Sequence, residues 1–150
     1  MEVIAGEAAT VTHVREQNCI FELDFSKVYW NSRLQMEHCR MVHLCCMLSK
    51  YTDNANRFKK KYTSTIVDLF CGVGPFAIPS AKRGCFVYAN DLNPTCIEYL
   101  KKNSVANHVE RNIIPSVMDA REFWECIVGE EVYNIMHTEV SDNTQVVEHI

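Results

Sequence analysis

The sequence predicts an α/β fold in which helices cover the faces of a parallel β-sheet. Three observations indicate this fold. Short apolar segments with strand character alternate with helical segments from about residue 65 onward, a glycine turn joins the first of those strands to a helix, and acidic residues follow successive strands. Parallel neighbours need crossover connections, and the intervening helices supply them.

Composition restricts the class of protein. A chain of 150 residues with 47% hydrophobic and 23% charged residues fits one folded domain and excludes a disordered polymer or a collagen-like repeat. No apolar run approaches the roughly 18 residues that span a bilayer, and the first residues lack a basic signal-like opening, so no membrane partner is expected. The net charge of −4 argues against a wholly basic nucleic-acid-binding surface. The eight cysteines lie in apolar segments without a C-x-x-C pair, which predicts reduced intracellular thiols and no metal site.

The amino-terminal part reads as a hairpin followed by a helix. Residues 11–16 and the alternating residues 19–25 predict two strands, and Gln17-Asn18 predicts the turn between them. Asn31 or Ser32 caps a helix that reaches about residue 50, with an apolar stripe formed by Leu34, Met41, Leu44, Cys45 and Leu48. The polar residues 51–62, including the solvated run Lys59–Lys61, predict an exposed connection.

The remaining chain supplies the sheet and its helices. Strands are predicted at residues 65–70, 86–91 and 113–117, and a fourth is predicted at residues 132–136. Helices are predicted at residues 76–83, from Pro94 to about residue 107, and at residues 121–128. This order defines the parallel α/β sheet.

A glycine loop between the first sheet strand and its helix predicts a nucleotide-cofactor site. Gly72-x-Gly74-x-x-Ala77 matches the dinucleotide fingerprint, because glycine allows a sharp reversal and close backbone approach to a ligand. However, Pro75 lacks the N–H that a pyrophosphate would use, and Asp68 places an anion beside that position. Both details favour a cationic ligand such as S-adenosylmethionine over NAD.

Two further acids follow the next two strands. Asp91 stands where a carboxylate would accept hydrogen bonds from both ribose hydroxyls, and Asp119-Ala120 stands where the adenine edge would be read. The carboxyl ends of parallel strands meet at one edge of the sheet, so Asp68, Asp91 and Asp119 are expected there together. Each acid alone is more commonly a helix cap or a solvated loop residue.

A second group lies at the start of the first helix. Arg33 and Glu37 are four residues apart and share a helix face, and their ordinary interpretation is an exposed ion pair. The adjacent His38, taken alone, is an ordinary partly buried histidine. Residue spacing does not decide between a structural and a catalytic role for this group.

The chain resembles the tRNA (guanine-37-N1)-methyltransferases of the archaeal and eukaryotic type. The matching strings are VYWNSRL at residues 28–34 with Glu37-His38, DLFCGVGPFAIP at residues 68–79, and YANDLNP at residues 88–94. The resemblance covers residues 1–123 and implies a Rossmann-like class I methyltransferase sheet, incomplete at its carboxyl terminus and preceded by a small β-hairpin and a helix. It also implies S-adenosyl-L-methionine as cofactor and the anticodon region of tRNA as substrate.

The resemblance implies specific roles. Glu37 would be the general base that takes the N1 proton of guanine, with its basicity raised by partial burial, Arg33 would position it or the target base, and Tyr29 would form an aromatic wall. The implied cofactor-binding residues are His38, Asp68, Gly72, Gly74, Asp91, Leu92, Asp119 and Ala120. A monomer is expected, acting in the cytoplasm, with the nucleus and the mitochondrial matrix also compatible with the resemblance.

The chain also departs from the family pattern. The family carries an Asn-Leu-Pro segment after a fourth strand, and residues 133–137 here, YNIMH, do not supply it. We expect three parts: residues 1–32 as the end of an upstream β-rich segment, residues 33–137 as a partial cofactor-binding domain, and residues 138–150 as a divergent tail. The chain is thus expected to be a fragment or a truncated form of a longer protein. Two alternatives follow: aminocarboxypropyl transfer to tRNA in wybutosine synthesis, and a catalytically inactive cofactor-binding remnant.

Overall fold

The computed structural model describes residues 9–52 and 64–129, and the elements predicted in these ranges are found close to their expected positions. The predicted strand at residues 132–136, the tail at residues 138–150 and the basic run Lys59–Lys61 lie outside the described residues. In the part of the chain that the structure describes, no helix combines the length and the apolar character needed to cross a membrane.

The amino-terminal hairpin consists of β1 (Val11–Glu16) and β2 (Cys19–Asp24), which pair antiparallel. Gln17 and Asn18 form the predicted two-residue turn, with φ angles of 50° and 60°. Positive φ at both central positions is typical of the type I′ turn, whose twist matches that of the flanking strands. This match fixes the hairpin register.

The first long helix begins with a short 3₁₀ turn. Asn31 caps the 3₁₀ turn Ser32–Leu34, because its side-chain oxygen accepts a hydrogen bond from the Arg33 backbone N–H at 3.1 Å. Helix α1 (Gln35–Thr52) follows directly. The predicted cap at Asn31 is confirmed, and the helix extends slightly beyond its expected end.

The apolar stripe predicted for α1 was correct at Cys45 and wrong at Leu34 and Leu44, and the Leu48 side chain lies outside the described residues. Val42 is fully buried and Cys45 and Cys46 pack against the core, whereas Leu34 and Leu44 remain 40% and 41% exposed. Leu34 belongs to the 3₁₀ turn, where three residues make a turn, so its side chain is out of phase with the 3.6-residue period of the helix.

The central sheet has three parallel strands in the order β3 (Thr65–Asp68), β4 (Phe86–Asn90) and β5 (Ile113–Ser116). Helix α2 (Ala77–Lys82) connects the first two strands, and α3 (Pro94–Ala106) with the 3₁₀ turn Glu110–Asn112 connects the next two. A further helix, α4, spans residues 120–129. The α/β fold with parallel strands is therefore confirmed.

The hairpin shares its hydrophobic core with the sheet. Phe21, at 0% exposure, lies in one cluster with Ile78 of α2, Val87 of β4 and Leu100 of α3. The ring of Phe21 also packs against Trp30, with 5.4 Å between ring centroids. These contacts fix the hairpin and residues 28–34 against the carboxyl edge of the sheet. The domain boundary at residue 32 stays a prediction.

Two asparagine side chains join β2 to α3. The Asn103 side-chain oxygen accepts from the Glu22 N–H at 2.8 Å, and its amide nitrogen donates to the Glu22 carbonyl at 3.1 Å. Asn107 does the same with Ile20, at 3.0 and 2.7 Å. Each amide thus replaces the backbone pairing that a neighbouring strand would give this edge of β2.

Candidate functional site

A cavity of about 470 Å³ lies at the carboxyl ends of β3 and β4. Its walls come from the end of β1, the segment before α1, the start of α1, the glycine loop after β3, and the turn between β4 and α3. The lining residues are Glu16, Tyr29, Trp30, Asn31, Leu34, His38, Phe70, Cys71, Gly72, Val73, Pro75, Asp91, Asn93 and Cys96. Small-molecule sites of α/β proteins commonly have this volume and this position.

The two glycines of the loop are required for different reasons. Gly72 has φ +53°, and a Cβ added there would meet no atom within 4 Å, so the cavity side of its backbone is open. Gly74 has φ +99°, and a Cβ there would lie 2.7 Å from side-chain atoms of both Ile78 and Leu100. Gly72 exposes backbone to the cavity, and Gly74 allows the loop to pack closely on α2 and α3.

Asp91 holds the glycine loop and the following turn together. One carboxylate oxygen accepts from the Gly72 N–H at 2.9 Å, and the other accepts from the Asn93 N–H at 2.9 Å. Burial and the neighbouring Asp91 raise the pKa of Cys96 to about 11, so this thiol stays protonated at neutral pH. A carboxylate has about four acceptor positions, which leaves acceptor capacity on Asp91 for a ligand in the cavity.

Asn90 connects three loops at the same edge. This residue is fully buried, and its side-chain nitrogen donates to the carbonyls of Leu69 at 3.2 Å and Met118 at 3.0 Å. Its side-chain oxygen accepts from the Met118 N–H at 3.1 Å. The ends of β3, β4 and β5 are therefore fixed relative to one another by one amide. The sequence reasoning passed over Asn90, although it stands directly before the singled-out Asp91.

Asp68 is the last residue of β3, is partly buried and does not line the cavity. Its carboxylate accepts a long hydrogen bond from the Phe70 N–H at 3.4 Å. Burial raises the pKa of Asp68 to about 6, and the charge of Asp91 contributes to the same shift. Asp68 is thus ionised at neutral pH at a free-energy cost, which a nearby cation would reduce.

Asp119 and Ala120 stand apart from the cavity. Asp119 is exposed and caps α4, because its carboxylate accepts from the Arg121 N–H at 2.8 Å. Ala120 lines a separate, more open groove of about 570 Å³, which also contains Phe70 and Trp124. Phe70 is 76% exposed and lines both spaces. Leu92 is 70% exposed beside Asp91. Asp119 thus lines neither space, and Ala120 lines the groove but not the cavity.

The predicted catalytic group is only partly assembled around the cavity. Tyr29 lines the cavity and is 73% exposed, whereas Arg33 and Glu37 are exposed and do not line it. Glu37 forms a bidentate pair with Arg40, at 2.8 Å from Nε and 2.6 Å from Nη2.

The ordinary interpretation of Arg33 and Glu37 as an ion pair was wrong, because Arg40, one turn further along α1, binds the carboxylate instead. The expected rise in basicity of Glu37 through partial burial was wrong as well. The hydrogen bonds from Arg40 to the exposed carboxylate hold the pKa of Glu37 below its ordinary value. The carboxylate is consequently ionised at neutral pH.

His38 faces the cavity from the first turn of α1. Its Nδ1 atom is buried without a hydrogen-bond partner among the residues that the structure describes. Burial lowers the pKa of His38, although the charge of Glu37 opposes this shift. A neutral imidazole with an unused ring nitrogen can donate to or accept from a ligand.

Glu16 is a cavity residue that the sequence reasoning did not single out. It ends β1, is only 6% exposed, and lines the cavity together with Asp91. An acidic residue at an inward-facing end of a short strand was the available signal. Its proximity to the glycine loop depends on packing of the hairpin against α3, which sequence periodicity does not reveal.

The arrangement suits a ligand with a polar nucleoside part and a cationic part. Open backbone at Gly72 and the carboxylate of Asp91 provide the polar edge of the cavity. Trp30, Leu34 and Val73 provide apolar contact area. The described lining residues include two carboxylates, Glu16 and Asp91, and neither lysine nor arginine. This charge distribution favours a ligand with a positively charged group over one with a phosphate.

Comparisons with known proteins identify the family of the chain. The model of the TRM5/TYW2 methyltransferase domain matches residues 12–147. A protein of Dictyostelium discoideum named tRNA (guanine(37)-N(1))-methyltransferase is 43% identical over 133 residues, covering 88% of this chain and 26% of that protein. A protein of Danio rerio with the same name is 44% identical over 136 residues, with coverages of 91% and 25%. The chain thus spans about a quarter of the length of these curated relatives.

Solved structures give the same relationship. The Methanocaldococcus jannaschii Trm5 structure in complex with adenosine has a TM-score of 0.66 and 35% identity, covering 81% of this chain and 33% of that one. The complex of aTrm5 with tRNALeu gives 0.64 and 36%, with coverages of 79% and 31%. Methanocaldococcus jannaschii TYW2 in complex with AdoMet gives 0.60 and 31%, with coverages of 80% and 48%. The predicted Rossmann-like methyltransferase fold is confirmed, and the chain belongs to the TRM5/TYW2 methyltransferase domain family.

Proposed function

We propose that this chain is the S-adenosylmethionine-binding part of a tRNA (guanine-37-N1)-methyltransferase. The observation that carries the proposal is the cavity formed where Asp91 accepts the Gly72 N–H, at the carboxyl edge of a parallel sheet. Family membership and the names of relatives at 43% and 44% identity support it. Structures in complex with adenosine and AdoMet among the solved relatives support the cofactor.

The residues present fit this cofactor. Asp91 would accept hydrogen bonds from the ribose hydroxyls, while the open backbone at Gly72 would let the nucleoside approach. The unused Nδ1 of His38 provides one more polar contact. Leu92 would cover the ribose, Ala120 would reach the adenine from the groove beside Phe70, and the neighbouring Asp119 would contact the adenine edge. Asp68 would stabilise positive charge through the field of its carboxylate, and Gly74 would keep the loop in place.

The chemistry requires removal of a proton from N1 of guanine. When bound, the cofactor supplies a methyl group already activated by its positively charged sulfur. Glu37 would accept the N1 proton, and its pairing with Arg40 keeps the carboxylate ionised and ready to do so at neutral pH. Arg33 would orient the target base and Tyr29 would pack against it.

The substrate proposal is tRNA, bound at its anticodon region. The complex of aTrm5 with tRNALeu, 36% identical to this chain, supports tRNA as the partner. Methyl transfer is preferred over aminocarboxypropyl transfer, because the curated relatives described above carry the guanine-37 methyltransferase name while the TYW2 structure is 31% identical. Action as a monomer and a cytoplasmic location stay predictions.

The test is calorimetric titration of the chain with S-adenosylmethionine. We expect the wild type to bind and Asp91→Ala to lose binding. Glu98→Ala should bind like the wild type, because Glu98 is an exposed residue of α3 outside the cavity. Equal affinity of wild type and Asp91→Ala would contradict the site.

Mass analysis of tRNA after reaction then separates the activities. A methyl adduct on guanine supports the proposed reaction. An aminocarboxypropyl adduct supports the wybutosine alternative, and binding without any transfer identifies a cofactor-binding remnant.

A further inference from the structure

Glu16 is a buried residue that lines the cavity, and its carboxylate is partly desolvated there. Glu16 is 6% exposed and lines the cavity, and the structure shows no hydrogen bond or ion pair for this carboxylate within residues 9–52 and 64–129. Burial raises the pKa of Glu16. Burying an unpaired carboxylate is costly, so proteins rarely keep one unless it has a function.

Among the described residues that line the cavity, no cation compensates the charge of Glu16. The described lining residues include neither lysine nor arginine, and burial lowers the pKa of His38, so that this imidazole favours its neutral form. Asp91 is the other carboxylate among these lining residues, and each of its oxygens already accepts a backbone N–H. Glu16 is therefore the acidic group of the cavity that still needs a positively charged donor.

We propose that Glu16 binds the ammonium group of the amino-acid arm of the cofactor. The inference rests on the proposed function, since Asp91 at the end of β4 takes the ribose and the arm must extend to another part of the cavity. An ammonium group carries three donors and a full positive charge, which match the acceptors and the charge of the carboxylate. Glu16 comes from the hairpin, which Asn103 and Asn107 join to α3 independently of any ligand.

The experiment uses two ligands that carry no charge on sulfur. S-adenosylhomocysteine retains the ammonium group, whereas 5′-methylthioadenosine lacks the whole amino-acid arm. Calorimetric affinities for both ligands are measured with wild type, Glu16→Gln and Glu22→Gln. Glu22 lies on the neighbouring strand outside the cavity, so its variant controls for the loss of one negative charge from the hairpin.

The expected result is selective. Glu16→Gln should weaken S-adenosylhomocysteine binding by about ten- to a hundredfold, as expected for loss of a charge-assisted hydrogen bond, and leave 5′-methylthioadenosine binding within about twofold. Glu22→Gln should change neither affinity. Retained binding of 5′-methylthioadenosine also shows that the variant cavity is folded.

Three outcomes overturn the inference. Unchanged affinity of Glu16→Gln for S-adenosylhomocysteine shows that no ammonium contact exists. Equal weakening of both ligands shows that Glu16 supports the nucleoside or the fold instead of the arm. A wild-type chain that binds neither ligand refutes the proposed function and this inference together, whereas the first two outcomes leave the proposed function intact.

Discussion

Replacing each loop glycine by alanine should separate packing from ligand access. At Gly74 the new methyl group would lie 2.7 Å from side-chain atoms of Ile78 and Leu100, and the backbone φ of +99° is strained for any L-residue with a side chain. Conformational strain of about 1–2 kcal/mol and overpacking of about 1–3 kcal/mol together predict a loss of about 2–5 kcal/mol in the free energy of unfolding for Gly74→Ala.

Gly72→Ala is the matched control. Its φ of +53° carries the same kind of backbone strain, but the added Cβ would meet no atom within 4 Å. We therefore expect Gly72→Ala to lose only about 1–2 kcal/mol. Because Gly72 lines the cavity, its methyl group should instead reduce affinity for S-adenosylhomocysteine.

Urea unfolding followed by tryptophan fluorescence gives the two stabilities, and calorimetry gives the two affinities. The affinity of Gly74→Ala is compared with that of Gly72→Ala without urea, under conditions where circular dichroism shows that the Gly74→Ala chain is folded. Equal destabilisation by the two substitutions would refute the packing argument. Full ligand affinity in Gly72→Ala would refute the claim that ligand approaches its backbone.

The other predictions concern buried amides and titrating carboxyl groups. Asn103→Ala should lower the free energy of unfolding by about 2–4 kcal/mol in urea, because backbone groups of two elements lose their partner. Asp68 has a pKa of about 6 in the fold, raised from 3.8. The free energy of unfolding of the wild type should therefore fall by up to about 3 kcal/mol as pH rises from about 4 to about 6. Melting temperatures measured against pH should change less over this range in Asp68→Asn. Arg40→Gln should raise the pKa of Glu37 towards its ordinary value, observed by NMR titration of the Glu37 carboxyl carbon, and an unchanged titration would contradict the pairing.

Local sequence rules predicted the elements of the fold well because those elements depend on short-range signals. The Gln17-Asn18 turn, the Asn31 cap and Pro94 at a helix start depend on the backbone preferences of single residues. The end of β3 was less well predicted, since the strand stops at Asp68 and the apolar Phe70 is exposed. Apolar character alone does not distinguish a strand residue from a ligand-facing loop residue.

The candidate site was predicted where residues follow adjacent strands, and missed where distant parts of the chain meet. Gly72 and Asp91 were identified correctly as neighbours because both follow adjacent parallel strands. The partner of Glu37 was wrong because i,i+4 and i,i+3 spacings compete on one helix and the choice depends on side-chain rotamers. Glu16 could not be placed without knowing how the hairpin packs.

One buried amide links the two halves of the proposed cofactor site. Asn103 joins β2 through Glu22 and also donates to the Val73 carbonyl of the glycine loop at 3.1 Å. The hairpin that carries Glu16 and the loop that carries Gly72 are therefore fixed by the same side chain of α3. A ligand that contacts both halves binds more tightly when their separation is fixed in advance, because less conformational entropy is lost on binding. We therefore expect Asn103 to increase affinity for the proposed cofactor, although its side chain does not line the cavity.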